Sequence, residues 1–148
     1  MNRNTILITA REYFFDLHDN VCNQKYNKTL PYSFHLEMVE AQAVLFERHI
    51  PCDNPYNSDI WNGIYGHDSI EDARLTYNDI VEMFGDAVAE IIYLSTENKG
   101  RNRAERKNDV FYHALKTNRD AIFVKLCDLI ANVKFSLLTN SSMFNKYK

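Results

Sequence analysis

The sequence has few of the residues that break regular structure: 4 glycines and 3 prolines among 148 residues. This scarcity argues against a β-sandwich with many turns and against a disordered chain. The sequence also lacks an 18-residue apolar run, and its start lacks the long apolar stretch of a secretory signal. Three cysteines, none of them in a Cys-x-x-Cys pair, favour a reducing compartment over a disulfide framework. We therefore predict a cytoplasmic protein with no membrane partner.

The sequence also has no large excess of positive or negative charge. The net charge is -3, whereas a general nucleic-acid binder is usually basic, so we expect no nucleic-acid partner. Charge is nevertheless clustered, with five basic residues and one acid in residues 99–107, and five acids and one arginine in residues 68–82. Such patches could hold a cation and an anion side by side, although two solvated surfaces would give the same pattern.

Apolar residues recur at helical spacing along most of the chain, and no strand-like alternation of useful length is present. The predicted helices cover residues 4–19, 33–45, 60–68, 76–84, 86–95, 105–117 and 119–137, the third of them running into His67 and Asp68. A polar linker at 20–30 and loops at 50–58 and 96–104 separate them. Thr76 and Asp79 resemble a capping box, and Asp86 is expected to cap the helix after Gly85. The prediction is an all-α, compact helical bundle: one domain over residues 1–148, with a core at about 5–137 and a tail at 139–148.

The helix at 119–137 is apolar nearly all round, which predicts a buried helix. At 100° per residue, Lys125, Asp128 and Asn132 fall within about 60° of one another and form a narrow polar window. A buried carboxylate is unfavourable unless it is paired or binds a metal. A core aspartate paired with an arginine or with backbone groups would satisfy the same requirement.

The segment His67-Asp68-Ser69-Ile70-Glu71-Asp72 places one histidine and three carboxylates within six residues. In a continuous helix, His67 and Glu71 would share one face, and Asp68 and Asp72 the next. Imidazole and carboxylate groups suit a divalent ion such as Mn²⁺, Fe²⁺ or Zn²⁺, and neighbouring carboxylates can act as general acid or base. A His-Asp pair alone is weak evidence, because His18-Asp19 repeats it.

Five local motifs follow one another along the chain: PYxxH at 31–35, HDxxED at 67–72, TYxDIxxxFG at 76–85, ERK at 105–107 and KLxDxxxN at 125–132. In this order they resemble the HD-domain hydrolases of the RelA/SpoT type. The similarity is greatest to small single-domain alarmone hydrolases, such as the metazoan SpoT homologues, and covers roughly residues 10–135. The resemblance implies an HD-domain helical bundle that removes pyrophosphate from the ribose 3′ position of ppGpp or pppGpp.

The resemblance also implies roles for individual residues. The implied metal ligands, usually for Mn²⁺ in this family, are His35, His67, Asp68 and Asp128. Glu71 and Asp72 match the acidic pair that positions and deprotonates the attacking water.

On the substrate side, Asn132 matches an asparagine that contacts the nucleotide. Arg106 and Lys107 match the ERK motif, and together with Lys99 they are candidates to neutralise phosphate charge. The Arg-Lys pair that the family has before PYxxH falls here on Tyr26-Asn27. Tyr26 could stack on the base instead, with Lys25 or Lys28 supplying a cation, so the base preference stays open.

Two other functions remain open at this point. One is an HD-type phosphohydrolase for another nucleotide: a 3′- or 2′-phosphorylated nucleotide, an NADPH-like cofactor or a nucleoside phosphate. The other is a nucleotide sensor without catalytic activity. His18, His49 and His113 are interpreted as structural or exposed, and the sequence predicts no oligomeric state.

Overall fold

The computed structural model describes residues 3–50, 58–97 and 109–139, and it is helical over most of them. Its helices are α1 (Arg3–Asp16), α2 (Ser33–Leu45), α3 (Ser58–Gly66), α4 (Ser69–Asp72), α5 (Tyr77–Phe84), α6 (Asp86–Leu94), α7 (Asp109–Leu115) and α8 (Arg119–Thr139). A π-helical turn (Leu17–Val21) continues α1, and a 3₁₀ turn (Glu47–His49) follows α2. The predicted all-α class is confirmed.

Several predicted segments lie wholly or partly outside the described residues. These are most of the loops at 50–58 and 96–104, the start of the helix predicted at 105–117, and nearly all of the tail at 139–148. Among the residues that are described, no helix has both the length and the apolar character needed to cross a membrane.

The linker predicted at 20–30 contains a short antiparallel hairpin. Strand β1 (Lys25–Tyr26) pairs with β2 (Leu30–Pro31), with Tyr26 opposite Leu30. Asn27 and Lys28 make the turn with φ angles of 51° and 73°, a left-handed conformation that asparagine tolerates better than most residues. Strands of two residues are too short to give an alternating pattern, so the sequence analysis missed them. The hairpin buries the side chain of Tyr26.

Helix α8 packs against α2, α3 and α6, while α3 also packs against α1. The predicted polar window of α8 points inward, because Lys125, Asp128 and Asn132 are all buried. The prediction that α8 is buried all round is wrong for its outer face, where Leu126 is 51% exposed and Leu138 86% exposed. Apolar composition does not reveal which side of a helix its neighbours cover.

The helix ends around Gly85 agree only partly with prediction. The capping box of α5 is confirmed: Asp79 N donates to Thr76 Oγ1 at 3.1 Å, and Thr76 N donates to Asp79 Oδ2 at 2.8 Å. The prediction that Asp86 caps α6 is wrong, because the N-cap is Gly85, which adopts a φ of 93° and has no side chain. Asp86 lies in the first turn instead, where a negative charge suits the helix dipole.

Gly66, the last residue of α3, lies against Phe14 of α1. A Cβ atom at this position would be 2.7 Å from Phe14 Cζ and 2.7 Å from Ile92 Cδ1. Phe14 and Ile92 are both fully buried, so their side chains have little room to move away. The packing at this point therefore requires glycine.

We predict that Gly66→Ala lowers the free energy of unfolding by about 1–3 kcal/mol, since the added methyl group overpacks the core. Urea denaturation of the metal-free protein measures this change. Asn78→Ala, at an exposed position of α5, is the control and should shift stability by less than about 0.5 kcal/mol. Equal stability of Gly66→Ala and the parent protein would contradict the close packing.

Candidate metal centre

Four buried side chains from three parts of the chain converge at one point. His35 comes from the first turn of α2, His67 and Asp68 from the turn between α3 and α4, and Asp128 from α8. One donor atom of each lies within 4.8 Å of the others. The structure thus brings together all four residues that the sequence analysis named as metal ligands.

The local structure around His67 and Asp68 differs from a continuous helix. Helix α3 ends at Gly66, and Ser69 Oγ donates to the Gly66 carbonyl at 2.7 Å, which satisfies one of the terminal acceptors of α3. Only Ser69–Asp72 is helical after the turn. The expectation that His67 and Glu71 share one face of a single helix is therefore wrong, and the turn directs both His67 and Asp68 into the core.

The distances within the cluster fit ligands around one ion. His35 Nε2 lies 3.0 Å from Asp128 Oδ1, and His67 Nε2 lies 2.9 Å from Asp68 Oδ2. The two Nε2 atoms are 3.4 Å apart. Metal bonds to imidazole and carboxylate measure about 2.0–2.2 Å, so two ligands at right angles around one ion lie about 3 Å apart.

The hydrogen bonding of His67 also suits a metal ligand. Its Nδ1 lies 2.7 Å from the carbonyl oxygen of Ile64, which can only accept, so Nδ1 carries the proton. In the neutral ring, the lone pair of Nε2 then points into the cluster, the arrangement that metal-bound histidines usually have. A site with two imidazoles and two carboxylates suits Mn²⁺, Fe²⁺ or Zn²⁺.

The two aspartates of the cluster carry negative charge in spite of their burial. Burial by itself would raise the pKa of Asp128, but Lys125 and His67 hold it well below its usual range. Burial would likewise lower the pKa of His67, and the carboxylates of Asp68 and Asp128 raise it well above its usual value. The cluster therefore attracts positive charge, which protons on the imidazoles or a metal ion can supply.

Lys125 is a buried cation beside Asp128. Its Nζ atom lies 2.5 Å from Glu97 Oε1 and 3.3 Å from Asp128 Oδ2. The sequence placed Lys125 beside Asp128 in the polar window, but gave no sign that Glu97 would pair with it. The ion pair between Lys125 and Asp128 fixes Oδ2 of Asp128, while Oδ1 faces the histidines.

Two further carboxylates lie next to the cluster on α4. One carboxylate oxygen each of Asp68, Glu71 and Asp72 lies within 4.8 Å of the others. Burial and the negative charge of Asp68 raise the pKa of Glu71 to about 7 and that of Asp72 to about 6. Groups with pKa values near neutrality can both accept and donate protons at physiological pH.

Tyr32 is a residue at this site that the sequence analysis missed. Its hydroxyl donates to Asp68 Oδ2 at 2.6 Å and lies 3.2 Å from Asp72 Oδ2. The signal was available, because Tyr32 belongs to the PYxxH motif and lies one helical turn before His35. His18 stacks on the ring of Tyr32 at a centroid distance of 4.7 Å, so the interpretation of His18 as structural agrees with its position.

The predicted substrate-binding residues lie in three different settings. Tyr26 and Asn132 are buried beside the cluster and hydrogen-bonded to each other. Lys25 and Lys28 are exposed on the hairpin. Three others lie outside the described residues: Lys99, Arg106 and Lys107.

Part of the chain is similar to a known nucleotide hydrolase. The guanosine-3′,5′-bis(diphosphate) 3′-pyrophosphohydrolase of Danio rerio is 34% identical over 68 residues, which are 46% of this chain and 38% of that enzyme. No protein-family model matches the chain. The similarity supports a relationship to such hydrolases over less than half of either chain, and the buried His/Asp cluster is compatible with a divalent metal.

The raised pKa of Glu71 predicts a pH-dependent stability difference in the metal-free protein. The pKa of Glu71 is 4.5 in the unfolded chain and about 7 in the folded protein, so the folded state binds the proton more tightly. The resulting contribution to stability is fully present below pH 4.5 and is lost as the pH rises through about 7. Glu71→Gln removes the ionisation, so its stability relative to the parent protein should increase from pH 5 to pH 8. Urea denaturation in EDTA measures the difference. Glu82→Gln, on the exposed side of α5, is the matched control. A flat difference for Glu71→Gln would contradict the prediction.

Proposed function

We propose that this chain forms a single HD-type phosphohydrolase domain that hydrolyses guanosine-3′,5′-bis(diphosphate), or its pentaphosphate, to release the 3′-pyrophosphate. The observation that carries the proposal is the convergence of four buried side chains that could hold a metal ion, with the carboxylates of Glu71 and Asp72 next to one of them, Asp68. The partial similarity to the Danio rerio enzyme supports the choice of substrate.

In this proposal His35, His67, Asp68 and Asp128 hold the metal, with Mn²⁺ as the first candidate and Fe²⁺ or Zn²⁺ as others. When bound, such an ion lowers the pKa of a water molecule and polarises a phosphoryl oxygen. The chain itself orients two of its ligands by hydrogen bonds: Ile64 O accepts from His67, and Tyr32 donates to Asp68. These contacts hold the donor atoms in place before any ion arrives.

Glu71 is assigned as the general base and Asp72 as the residue that orients the water. The water oxygen forms a bond to the phosphorus on the ribose 3′ oxygen, and the bond between that phosphorus and the 3′ oxygen breaks. The proton of the water passes to Glu71, whose pKa near neutrality also lets it return the proton to the leaving 3′ oxygen. The products are GDP and pyrophosphate, or GTP and pyrophosphate from the pentaphosphate.

The substrate is highly anionic, so cations must lie along its path to the cluster. Lys25 and Lys28 are exposed on the hairpin whose Tyr26 reaches the cluster, and they are proposed to attract the phosphates. Lys99, Arg106 and Lys107 are proposed for the same role on the basis of the sequence motif alone.

One observation favours a second candidate, hydrolysis of a different phosphorylated nucleotide by the same centre. Tyr26, at the position where the family has an arginine, is 7% exposed and stacks on His35, so this ring face is not open to a base. This burial favours a mode of base recognition other than the one implied by the resemblance. Assaying ppGpp beside 3′- and 2′-phosphorylated nucleotides, NADPH and nucleoside phosphates distinguishes the two candidates.

We predict that Mn²⁺ raises the melting temperature of EDTA-treated protein, with about 2.7 kcal/mol of added stability at a concentration of 100 times Kd. Asp128→Asn should abolish this rise, because it removes a charged ligand. Asp120→Asn, the same change about 12 Å earlier on α8, should retain it. If Mn²⁺ has no effect on the parent protein, or its full effect on Asp128→Asn, the assigned centre is wrong.

We predict that the protein releases pyrophosphate from ppGpp only when the metal is present. Glu71→Gln should bind Mn²⁺ normally and lower kcat by about 100-fold or more, as loss of a general base does. Chromatography of 3′-labelled ppGpp measures the release, and Glu82→Gln serves as the matched control. A Glu71→Gln protein that turns over like the parent would disprove the water-activating role. Nucleotide binding without turnover in the parent protein, detected by calorimetry, would instead indicate a sensor.

A further inference from the structure

The hairpin carries Tyr26 to the candidate metal centre. The ring of Tyr26 lies nearly parallel to that of His35, with centroids 4.9 Å apart and an angle of 21° between planes. Phe135 of α8 meets the same tyrosine edge-on at 5.0 Å. Tyr26 is thus held between one candidate ligand and the helix that carries another.

The hydroxyl of Tyr26 is connected to Asp128 through one side chain. It donates to Asn132 Oδ1 at 2.5 Å, and Asn132 Nδ2 donates to Asp128 Oδ1 at 3.1 Å. This oxygen of Asp128 is the one that lies 3.0 Å from His35 Nε2. A chain of two hydrogen bonds therefore runs from the phenol to the oxygen that faces the ion site.

The direction of these hydrogen bonds follows from the chemistry of the groups. An ionised carboxylate only accepts, so the amide of Asn132 must present its NH₂ group to Asp128. Its carbonyl then points away from the cluster, where the phenol of Tyr26 donates to it. If Asn132 turned by 180°, its carbonyl oxygen would face the carboxylate, and the two oxygens would repel each other. Tyr26 thus favours the amide orientation that supports Asp128.

Tyr26 and Asn132 are buried, so the orientation of the Asn132 amide depends on its protein partners. Tyr26 is 7% and Asn132 9% exposed, so water does not readily replace a lost hydrogen bond to the amide carbonyl. Loss of the phenol oxygen alone would leave the rings of Tyr26 and His35 stacked but would remove the donor to Asn132. The two possible roles of Tyr26, stacking and hydrogen bonding, can therefore be separated by a single atom.

We propose that Tyr26 and Asn132 are positioning residues of the metal centre: Tyr26 orients Asn132, and Asn132 holds the ligating oxygen of Asp128. The inference rests on the metal centre of the proposed function, but not on its substrate. It is a different role from those that the sequence analysis expected, base stacking for Tyr26 and nucleotide contact for Asn132, which stay predictions. Removing such supporting partners typically lowers metal affinity about 10–100-fold.

The test is calorimetric titration of Mn²⁺ into metal-free protein, with no nucleotide present. Tyr26→Phe should weaken Mn²⁺ binding about tenfold, and Asn132→Ala at least as much. Because the two residues act in sequence, the double variant should bind no more than about twofold more weakly than Asn132→Ala. Tyr77→Phe is the matched control: it removes a phenol that donates to Glu90 on α6, and Mn²⁺ affinity should not change.

A kinetic measurement separates positioning from substrate binding. In Tyr26→Phe, the Mn²⁺ concentration needed for half-maximal activity should rise about tenfold, while KM for the nucleotide at saturating Mn²⁺ should stay the same. Helical circular dichroism in EDTA checks that each variant is folded. If Tyr26→Phe does not fold, Asn132→Ser carries the test.

The outcomes distinguish this inference from the function on which it rests. Unchanged Mn²⁺ affinity in folded Tyr26→Phe and Asn132→Ala overturns the inference and leaves the metal centre standing. A parent protein that does not bind Mn²⁺ overturns both. A parent protein that binds Mn²⁺ without hydrolysing ppGpp, while Tyr26→Phe binds Mn²⁺ more weakly, overturns the proposed substrate and supports the positioning role.

Discussion

Two buried carboxylates facing two imidazoles are the interaction on which the rest of this structure depends. Asp68 and Asp128 are removed from water, and buried charge is unfavourable unless opposite charge and hydrogen bonds compensate for it. The turn between α3 and α4, the first turn of α2 and the middle of α8 all meet where that compensation is supplied. The helices are thus arranged around charge as well as around apolar packing.

The two aspartates have different hydrogen-bond partners. Asp128 has a cation and an amide, Lys125 and Asn132, which stabilise its negative charge and fix both oxygens. Asp68 has Tyr32, whose hydroxyl also lies close to Asp72 on α4. One aspartate is therefore anchored to the core of the bundle, while the other connects the cluster to the carboxylates that can exchange protons.

The sequence predicted which residues form the cluster better than it predicted which residues hydrogen-bond or ion-pair with them. His35, His67, Asp68 and Asp128 belong to motifs whose chemistry depends on residue type, and the structure brings them together. The capping box at Thr76 was also predictable, because it is encoded within four residues. The ion pair of Glu97 with Lys125 and the hydrogen bond of Tyr26 to Asn132 were not predictable, since both join segments that are distant in sequence. The same holds for the outer face of α8, where hydropathy alone could not show which side is covered.

The close approach of Gly66 to Phe14 links the evolution of the site to the packing of α1. Gly66 immediately precedes the His67-Asp68 pair, and a side chain there would collide with a ring that is fully buried. A larger residue at position 66 needs space from both Phe14 of α1 and Ile92 of α6, because the added Cβ atom would lie 2.7 Å from each of them. Among natural variants, a larger residue at position 66 should therefore occur only together with smaller residues at positions 14 and 92, although residue 14 contacts neither a metal nor a substrate in the proposed function.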